Sequence, residues 1–301
     1  MKRSLTATIG LAAAAGLWAF LTAVPGLGQG TTARAVGVKV DGHIEYPQLS
    51  PDGTRIAYEV NFPADKRREL WVVGWDGQKV VGAASKLVPE SMTSSSRYGA
   101  SKRVTHGFAW ANAGQYAYAY TVSDATGTQD IYIDNWSTMI ESGDSANKNP
   151  AWDPKEPRFV FSSGRSGNGD LYLWDSGEPM QLTFDAQNAE LYPVWNPDGK
   201  RVAYVRQGKS GSHVYLLDVD SFTASALVQF EGVESTRPSF GTDGTKVAFF
   251  SNKGQESPTS FGLWVTDARP GGNTRQIGAK VRLPSKGAAP WTPDGKGVIA
   301  V

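Results

Sequence analysis

The sequence predicts an all-β protein built as a β-propeller, on three observations. One turn-and-strand motif is written six times, and no stretch of the body holds a sustained 3.6-residue apolar period long enough for a substantial helix. The composition is also rich in turn formers and aromatics, with 34 Gly, 17 Pro, 10 Trp, 11 Tyr and 12 Phe in 301 residues, the residues that short strands and tight turns use. The same composition excludes several classes. With 30 Lys+Arg against 29 Asp+Glu, the chain lacks the basic face that displaces counterions from nucleic acid, so no nucleic-acid partner is expected. A charged share of 20% and a hydrophobic share of 40% exclude a disordered chain and a polytopic membrane protein. The absence of cysteine excludes a disulfide scaffold, thiol catalysis, zinc–thiolate sites and lipid attachment through an N-terminal cysteine.

Taken in order, residues 1–35 read as a signal peptide. Lys2 and Arg3 open it, an apolar run extends from Ile9 to Val24, Pro25, Gly26 and Gly28 break the run, and Ala33-Arg34-Ala35 offers a cleavage site. The run is short for a ~30 Å hydrocarbon core, so cleavage is expected; an uncleaved segment is the one route to a membrane. Residues 36–301 are then an exported propeller domain, periplasmic or secreted.

The first copy of the motif runs from Tyr46 through Pro47, Pro51-Asp52-Gly53 and Ile56-Ala57 to Tyr58. Close copies run Tyr192–Tyr204, Arg237–Phe249 and Ala289–Ala300, with turns at Asp198-Gly199, Asp243-Gly244 and Asp294-Gly295. Degenerate copies start at Phe108 and Asn149. The motif recurs at Pro51, Asn112, Pro154, Pro197, Thr242 and Pro293, close to the 40–50-residue period of a propeller blade. Pro-Asp-Gly joins a fixed φ, a side chain that bonds its own turn and a residue that accepts positive φ. Asp52, Asp198, Asp243 and Asp294 are therefore assigned to turns rather than to a calcium site. Glu156 stands where the third copy should have Gly, so a different turn type is expected there. The Pro-x-aromatic stretch before each turn reads as the inner strand and the Ile/Val-Ala-Tyr/Phe run after it as the second. Third strands follow at Leu70–Val73, Ile131–Ile133, Leu171–Trp174, Val214–Leu217 and Leu263–Val265, leading into Asp76, Asp134, Asp175, Asp218 and Asp267. Weaker fourth strands include Met180–Thr183 and Ala226–Phe230. Six copies of four strands predict six blades, the sixth incomplete because Val301 follows its second strand, with Val36–Val40 available as an outer strand for it. Gly82–Lys102 reads as a long inserted surface loop.

The repeat Pro-x-Trp-Ser-Pro-Asp-Gly-Lys-x-Ile-Ala-Phe, followed by Ile-Tyr-Val-x-Asp, is that of the TolB-like propeller family. Residues 46–58 and 192–204 resemble it closely, and the resemblance extends over about residues 36–301. It implies a periplasmic propeller that partners a peptidoglycan-associated lipoprotein. The chain passes from signal peptide to first blade without the N-terminal α/β domain of the type protein, as a propeller-only relative would.

Chemistry-bearing residues are sparse. His43, His106 and His213 have no metal-ligand spacing, Gly164-Arg165-Ser166-Gly167-Asn168 fails the nucleophile-elbow pattern at its fifth position, and Gly208-Lys209-Ser210 lies between strands, so it reads as a polar loop rather than a phosphate loop. No cofactor is expected. Trp110, Trp152, Trp195 and Trp291 read as blade packing. Binding is the better reading. The face opposite the Asp-Gly turns gathers the loops entering each inner strand and those between second and third strands. There the candidate binding residues are Glu45, His106, Lys148, Arg165, Glu190, Arg206 and Arg237, a mixed-charge rim for an envelope protein or peptide segment. The alternatives are a propeller lyase or hydrolase acting on a polysaccharide or peptide at the axial funnel, and the propeller part of a longer protein.

Overall fold

Five four-stranded antiparallel sheets follow one another along the chain, each with its strands hydrogen-bonded in sequence order. The computed structural model describes residues 18–19, 37–38, 42–64, 67–88, 103–112, 117–123, 129–134, 138–141, 143, 145–281, 283, 288, 291, 295, 297 and 298. Ahead of the sheets, β1 (Trp18–Ala19) pairs with β2 (Gly37–Val38). Blade one holds β3 (His43–Leu49), β4 (Arg55–Phe62), β5 (Arg67–Trp75) and β6 (Val80–Lys86). Blade two holds β7 (Arg103–Trp110), β8 (Tyr118–Ser123), β9 (Gln129–Ile133) and β10 (Thr138–Ile140). Blade three holds β11 (Asn147–Trp152), β12 (Phe159–Ser163), β13 (Asp170–Trp174) and β14 (Met180–Gln181). Blade four holds β15 (Ala189–Trp195), β16 (Arg201–Gly208), β17 (Gly211–Asp218) and β18 (Thr223–Val228). Blade five holds β19 (Ser235–Phe240), β20 (Lys246–Ser251), β21 (Phe261–Asp267) and β22 (Arg275–Val281). The chain divides into two compact units, 1–106 with 122–126, and 107–121 with 127–301.

The fold is thus an all-β propeller with five blades, not the six expected. The sixth motif copy contributes one isolated bridge, Trp291↔Val298, among the described residues. Each blade draws all four strands from its own repeat, and β22 completes the fifth. Of the segment expected to supply an outer strand to a sixth blade, the described residues Gly37–Val38 pair instead with Trp18–Ala19. The expected insertion is shorter at its start, because Gly82–Lys86 belongs to the fourth strand of blade one; residues 89–102 lie outside the described residues. So do residues 1–35 apart from Trp18–Ala19.

The core lies between sheets. In the larger unit Trp152, Phe159, Phe161 and Trp174 pack with Ile131, Ile133 and Ile140 across blades two and three. Leu171, Leu182, Trp195, Val202, Tyr204 and Leu217 fill the next interface, and Val214, Leu216, Leu227, Val247 and Phe249 the one after. In the smaller unit Ile44, Ile56, Tyr58, Val60, Val73 and Trp75 form one cluster. Trp110, Trp152 and Trp195 are buried, as blade packing requires. Trp195 Nε1 donates to the Ala151 carbonyl of the preceding blade at 2.8 Å, and Trp291 Nε1 donates to that of Ser239 at 3.1 Å.

The turn glycines serve two purposes. Gly53 has φ +72° with open space around it, so only backbone freedom requires it. Gly244 has φ +71°, and a Cβ there would also collide with Asn196 Oδ1 of the preceding blade's turn. Asn196 Nδ2 donates to the Gly244 carbonyl at 2.9 Å, stitching the two turns together. At the third copy Asp153 takes the acceptor role. It receives the Lys155 N–H at 2.8 Å and Arg158 Nε at 2.9 Å, and Glu156 is not among the positive-φ residues.

One backbone feature is not anticipated by the motif. The first strands of blades one, three, four and five shift register at Glu45/Gln48, Lys148/Ala151, Leu191/Val194 and Thr236/Ser239. At each shift the residue before proline has positive φ: Tyr46 52°, Asn149 54°, Tyr192 54° and Arg237 56°. Blade two has Gly107 at 85° instead. A left-handed non-glycine residue costs about 1–2 kcal/mol, and the bulge re-aims the strand entering the turn. Proline fits after it because it has no N–H to leave unpaired.

Candidate functional site

Hairpins between second and third strands close on the face away from the Asp-Gly turns. The closing pairs are Ser163↔Asp170, Gly208↔Gly211 and Ser251↔Gly262. Each of these three successive hairpins carries one exposed cation: Arg165, Lys209 and Lys253. Arg165 sits in a 3₁₀ turn, Gly164–Ser166, whose N-cap is Ser163. Its Nε donates to Ser163 Oγ at 3.0 Å and its Nη2 to the Glu141 carbonyl at 3.1 Å. Ser163 Oγ in turn donates to the buried Asn147 Oδ1 at 2.7 Å. The guanidinium also lies 5.0 Å from the Tyr172 ring centroid. Lys209 occupies the tip of a two-residue turn. Lys253 Nζ sits 3.7 Å from the Phe230 centroid, a cation–π contact that fixes the charge without neutralising it. Sequence reasoning named Arg165 alone. The signal for the other two was the recurrence of a cation in hairpins that align in the repeat.

The remaining predicted residues divide differently. Glu45, in the smaller unit, accepts from Asn61 Nδ2 at 3.2 Å and pairs with Arg68 at 3.3 Å. His106 lies in β7, with its side chain outside the described residues. Lys148 lies at the bulge of β11, opposite Ser162. Arg237 stacks its guanidinium on Tyr192 at 4.1 Å. Glu190 and Arg206 form a structural pair. Glu190 is fully buried, and its Oε1 accepts from Arg206 Nη2 at 3.0 Å and Nε at 3.3 Å. Arg206 also reaches Asp185 Oδ2 at 3.2 Å, donates to the Tyr204 hydroxyl at 3.1 Å, and lies 4.0 Å from the Tyr215 centroid. Arg206 is thereby committed to the interface between blades three and four.

The electrostatics follow from this commitment. Burial pushes the Glu190 carboxyl above its ordinary value, more than the Thr183 hydroxyl and Arg206 pull it down. Desolvation also raises Asp185, but Asn188, the Gln187 N–H and Arg206 outweigh it and leave that carboxyl low. His213, opposite Arg206 in the ladder, is held below its usual value by burial. Among the described residues no group of three or more His, Asp or Glu is placed to hold a metal. The turn aspartates are bonded as turn residues. Asp52 accepts from Ser50 Oγ at 2.5 Å and Thr54 N–H at 3.0 Å, and those bonds lower its carboxyl to about 2. Asp198 binds Lys200 N–H at 2.8 Å and the Arg201 guanidinium at 2.7 Å, and Asp243 binds Thr245 N–H at 2.9 Å. Gly199 and Gly295 have φ of 69° and 66°, and Asp294 lies outside the described residues. On these three hairpins Arg165 and Lys253 are held by their neighbours, Lys209 stands at a turn tip, and Glu256 is exposed beside Lys253 in the third, a cation-rich edge suited to a carboxylate-bearing surface.

No protein-family model matches the chain. A TolB homolog from Chlorobium luteolum is 26% identical over 134 residues, covering 43% of this chain and 30% of that protein. The chain therefore spans less than a third of that curated relative. Among solved structures, TolB from Acinetobacter baumannii superposes with a TM-score of 0.56 at 18% identity, covering 88% of this chain and 61% of that one. A puromycin-hydrolyzing peptidase from Mycobacterium tuberculosis superposes with a TM-score of 0.62 at 17% identity, covering 94% of this chain and 45% of that one. At these identities the structural likeness speaks for the fold.

Proposed function

We propose that this TolB-like β-propeller is a protein-binding module of the cell envelope, exported by residues 1–35 and engaging its partner through the hairpin face of blades three to five. The observation that carries the reading is the alignment of Arg165, Lys209 and Lys253 in three successive hairpins. The similarity to TolB proteins supports an envelope partner, and the resemblance of the repeat points to a peptidoglycan-associated lipoprotein. Lys148 and Arg237 lie on the first strands of blades three and five, which also carry the outer two hairpins of the proposed contact, while Glu190 and Arg206 hold the blades that present it. The test is isothermal titration of the full chain with the soluble domain of the peptidoglycan-associated lipoprotein from the same genome. Reversing all three charges (R165E, K209E, K253E) is expected to weaken binding by roughly tenfold or more and to flatten its salt dependence. Unchanged affinity and salt dependence would remove the reading.

A second reading, a propeller that serves peptide hydrolysis, is favoured by the coverage of the peptidase structure. Release of a chromogenic amine from aminoacyl substrates by the full-length gene product would support it, and no release above buffer would count against it.

A further inference from the structure

In blades three and five the position three residues before the proline of the first strand carries a buried polar residue, Asn147 and Ser235. Each faces a buried serine at the end of the second strand, Ser163 and Ser251. Asn147 Nδ2 donates to the Ile140 carbonyl at 2.9 Å, and its Oδ1 accepts from Ser163 Oγ at 2.7 Å. Ser235 Oγ donates to Ser251 Oγ at 3.1 Å, and Ser251 Oγ donates to the Glu234 carbonyl at 2.8 Å. A blade can close that position without polar side chains. Blade one does so with Ile44 opposite Val60, both buried.

The two serines have a second task in common, since each holds a cation two residues on. Ser163 Oγ accepts the Arg165 backbone N–H at 3.3 Å and its Nε–H at 3.0 Å. Ser251 Oγ accepts the Lys253 backbone N–H at 3.3 Å. Arg165 Nη2 is taken by the Glu141 carbonyl at 3.1 Å and by Asn147 Oδ1 at 3.5 Å. Nη2 belongs to both forks of a guanidinium, so neither fork is open to a carboxylate, and Nη1 is left to meet a single oxygen. A long side chain that is free to rotate loses affinity to its own ordering when a partner binds, and a cation held beforehand avoids that loss. Blade four differs: Glu190 stands three residues before Pro193 and faces Arg206, which stays on that carboxylate.

We infer that Asn147–Ser163 and Ser235–Ser251 are positioning pairs for partner binding, an inference that rests on the hairpin-face reading proposed above. Being buried, they meet no partner themselves. They act through Arg165 and Lys253, holding each in one geometry, with Arg165 presented end-on to one carboxylate oxygen.

The test is isothermal titration of the full chain with the soluble domain of the peptidoglycan-associated lipoprotein from the same genome, for the parent, R165A, R165K, S163A and S163A combined with R165A. R165K keeps the charge at an exposed position and loses the held geometry. It is expected to weaken binding roughly two- to tenfold, as is S163A, with R165A weaker still and S163A adding nothing once Arg165 is gone. S251A should act in the same way through Lys253, with no further loss in K253A. A measurement on the unaltered protein alone stands whatever the variants do. By nitrogen-15 NMR the Arg165 Nε–H should exchange with water roughly tenfold more slowly than that of Arg269, whose side chain is 70% exposed. R165K at parental affinity, S163A equally costly with and without Arg165, or Arg165 Nε–H exchanging as fast as that of Arg269 would overturn the inference alone. R165A at parental affinity would remove the hairpin-face reading, and the inference with it.

Discussion

Replacing Arg206 with Ala would strand the fully buried Glu190 carboxylate, and the size of the effect can be worked from the contacts. The substitution removes both guanidinium bonds to Oε1, at 3.0 and 3.3 Å, the 3.2 Å pairing to Asp185 and the stacking on Tyr215 at 4.0 Å. Breaking a buried pair from one side costs about 3–5 kcal/mol. Arg206 keeps 24% of its side-chain surface exposed, so water can partly replace it, which places the expected loss near the low end, about 3 kcal/mol. Glu190 can also escape by taking up a proton, since burial already pushes its carboxyl up. The sign follows from that shift: a raised folded value means the native state holds the proton more tightly than the unfolded chain does. Glu190 therefore costs stability as pH rises from its ordinary value of 4.5 through its raised folded value. The penalty of R206A should accordingly be smaller at pH 5 than at pH 7.5. Urea unfolding of the parent, R206A, E190Q and the double variant at both pH values measures it. The double variant should be less destabilised than the two single losses added together, because removing the charge removes the reason for the partner. R206A within about 0.5 kcal/mol of the parent at pH 7.5, or additive losses in the cycle, would refute the reasoning.

Three further outcomes follow from the turns and seams. Gly244→Ala should cost more than Gly53→Ala, roughly 2–3 kcal/mol against about 1, because both have positive φ but only the first would collide with Asn196; thermal melts of the pair decide it. Trp195→Phe should cost about 1–3 kcal/mol, since it removes the indole N–H that satisfies the Ala151 carbonyl across the seam, again read from urea unfolding. The Asp52 carboxyl should titrate at about 2 by carbon NMR and move up in Ser50→Ala, which removes the 2.5 Å hydrogen bond from the Ser50 hydroxyl. Being depressed in the folded state, it contributes stability present above its ordinary value of 3.8 and lost as pH falls toward 2.

Much of the fold was legible because each repeat writes its own strands and turns. Pro51-Asp52-Gly53 and its copies located the turns, and the runs at Ile56–Tyr58 and Val202–Tyr204 located the buried second strands. Blade number was not legible, since counting motif copies counts turns, whereas a blade needs four paired strands. The positive φ at Tyr46, Asn149, Tyr192 and Arg237 was hidden because a residue before proline is ordinarily pushed to extended backbone, and a bulge that inverts this leaves no mark in the motif. At the site, charge type was visible but not commitment. Arg206 and Arg165 look alike in sequence, yet one is tied to a buried carboxylate and the other stands on a hairpin tip. Cross-strand pairing decides that difference, and pairing depends on register, which the bulges shift.

The central claim, that the hairpin face is the partner-binding surface, is tested most directly by a hydrogen-exchange footprint of the full chain with and without the soluble domain of the peptidoglycan-associated lipoprotein. The account predicts slowed exchange at residues 164–169, 208–211 and 252–260, with the Asp-Gly turns at 52–53, 198–199 and 243–244 unaffected. Protection at those turns, with the three hairpins unchanged, would contradict it.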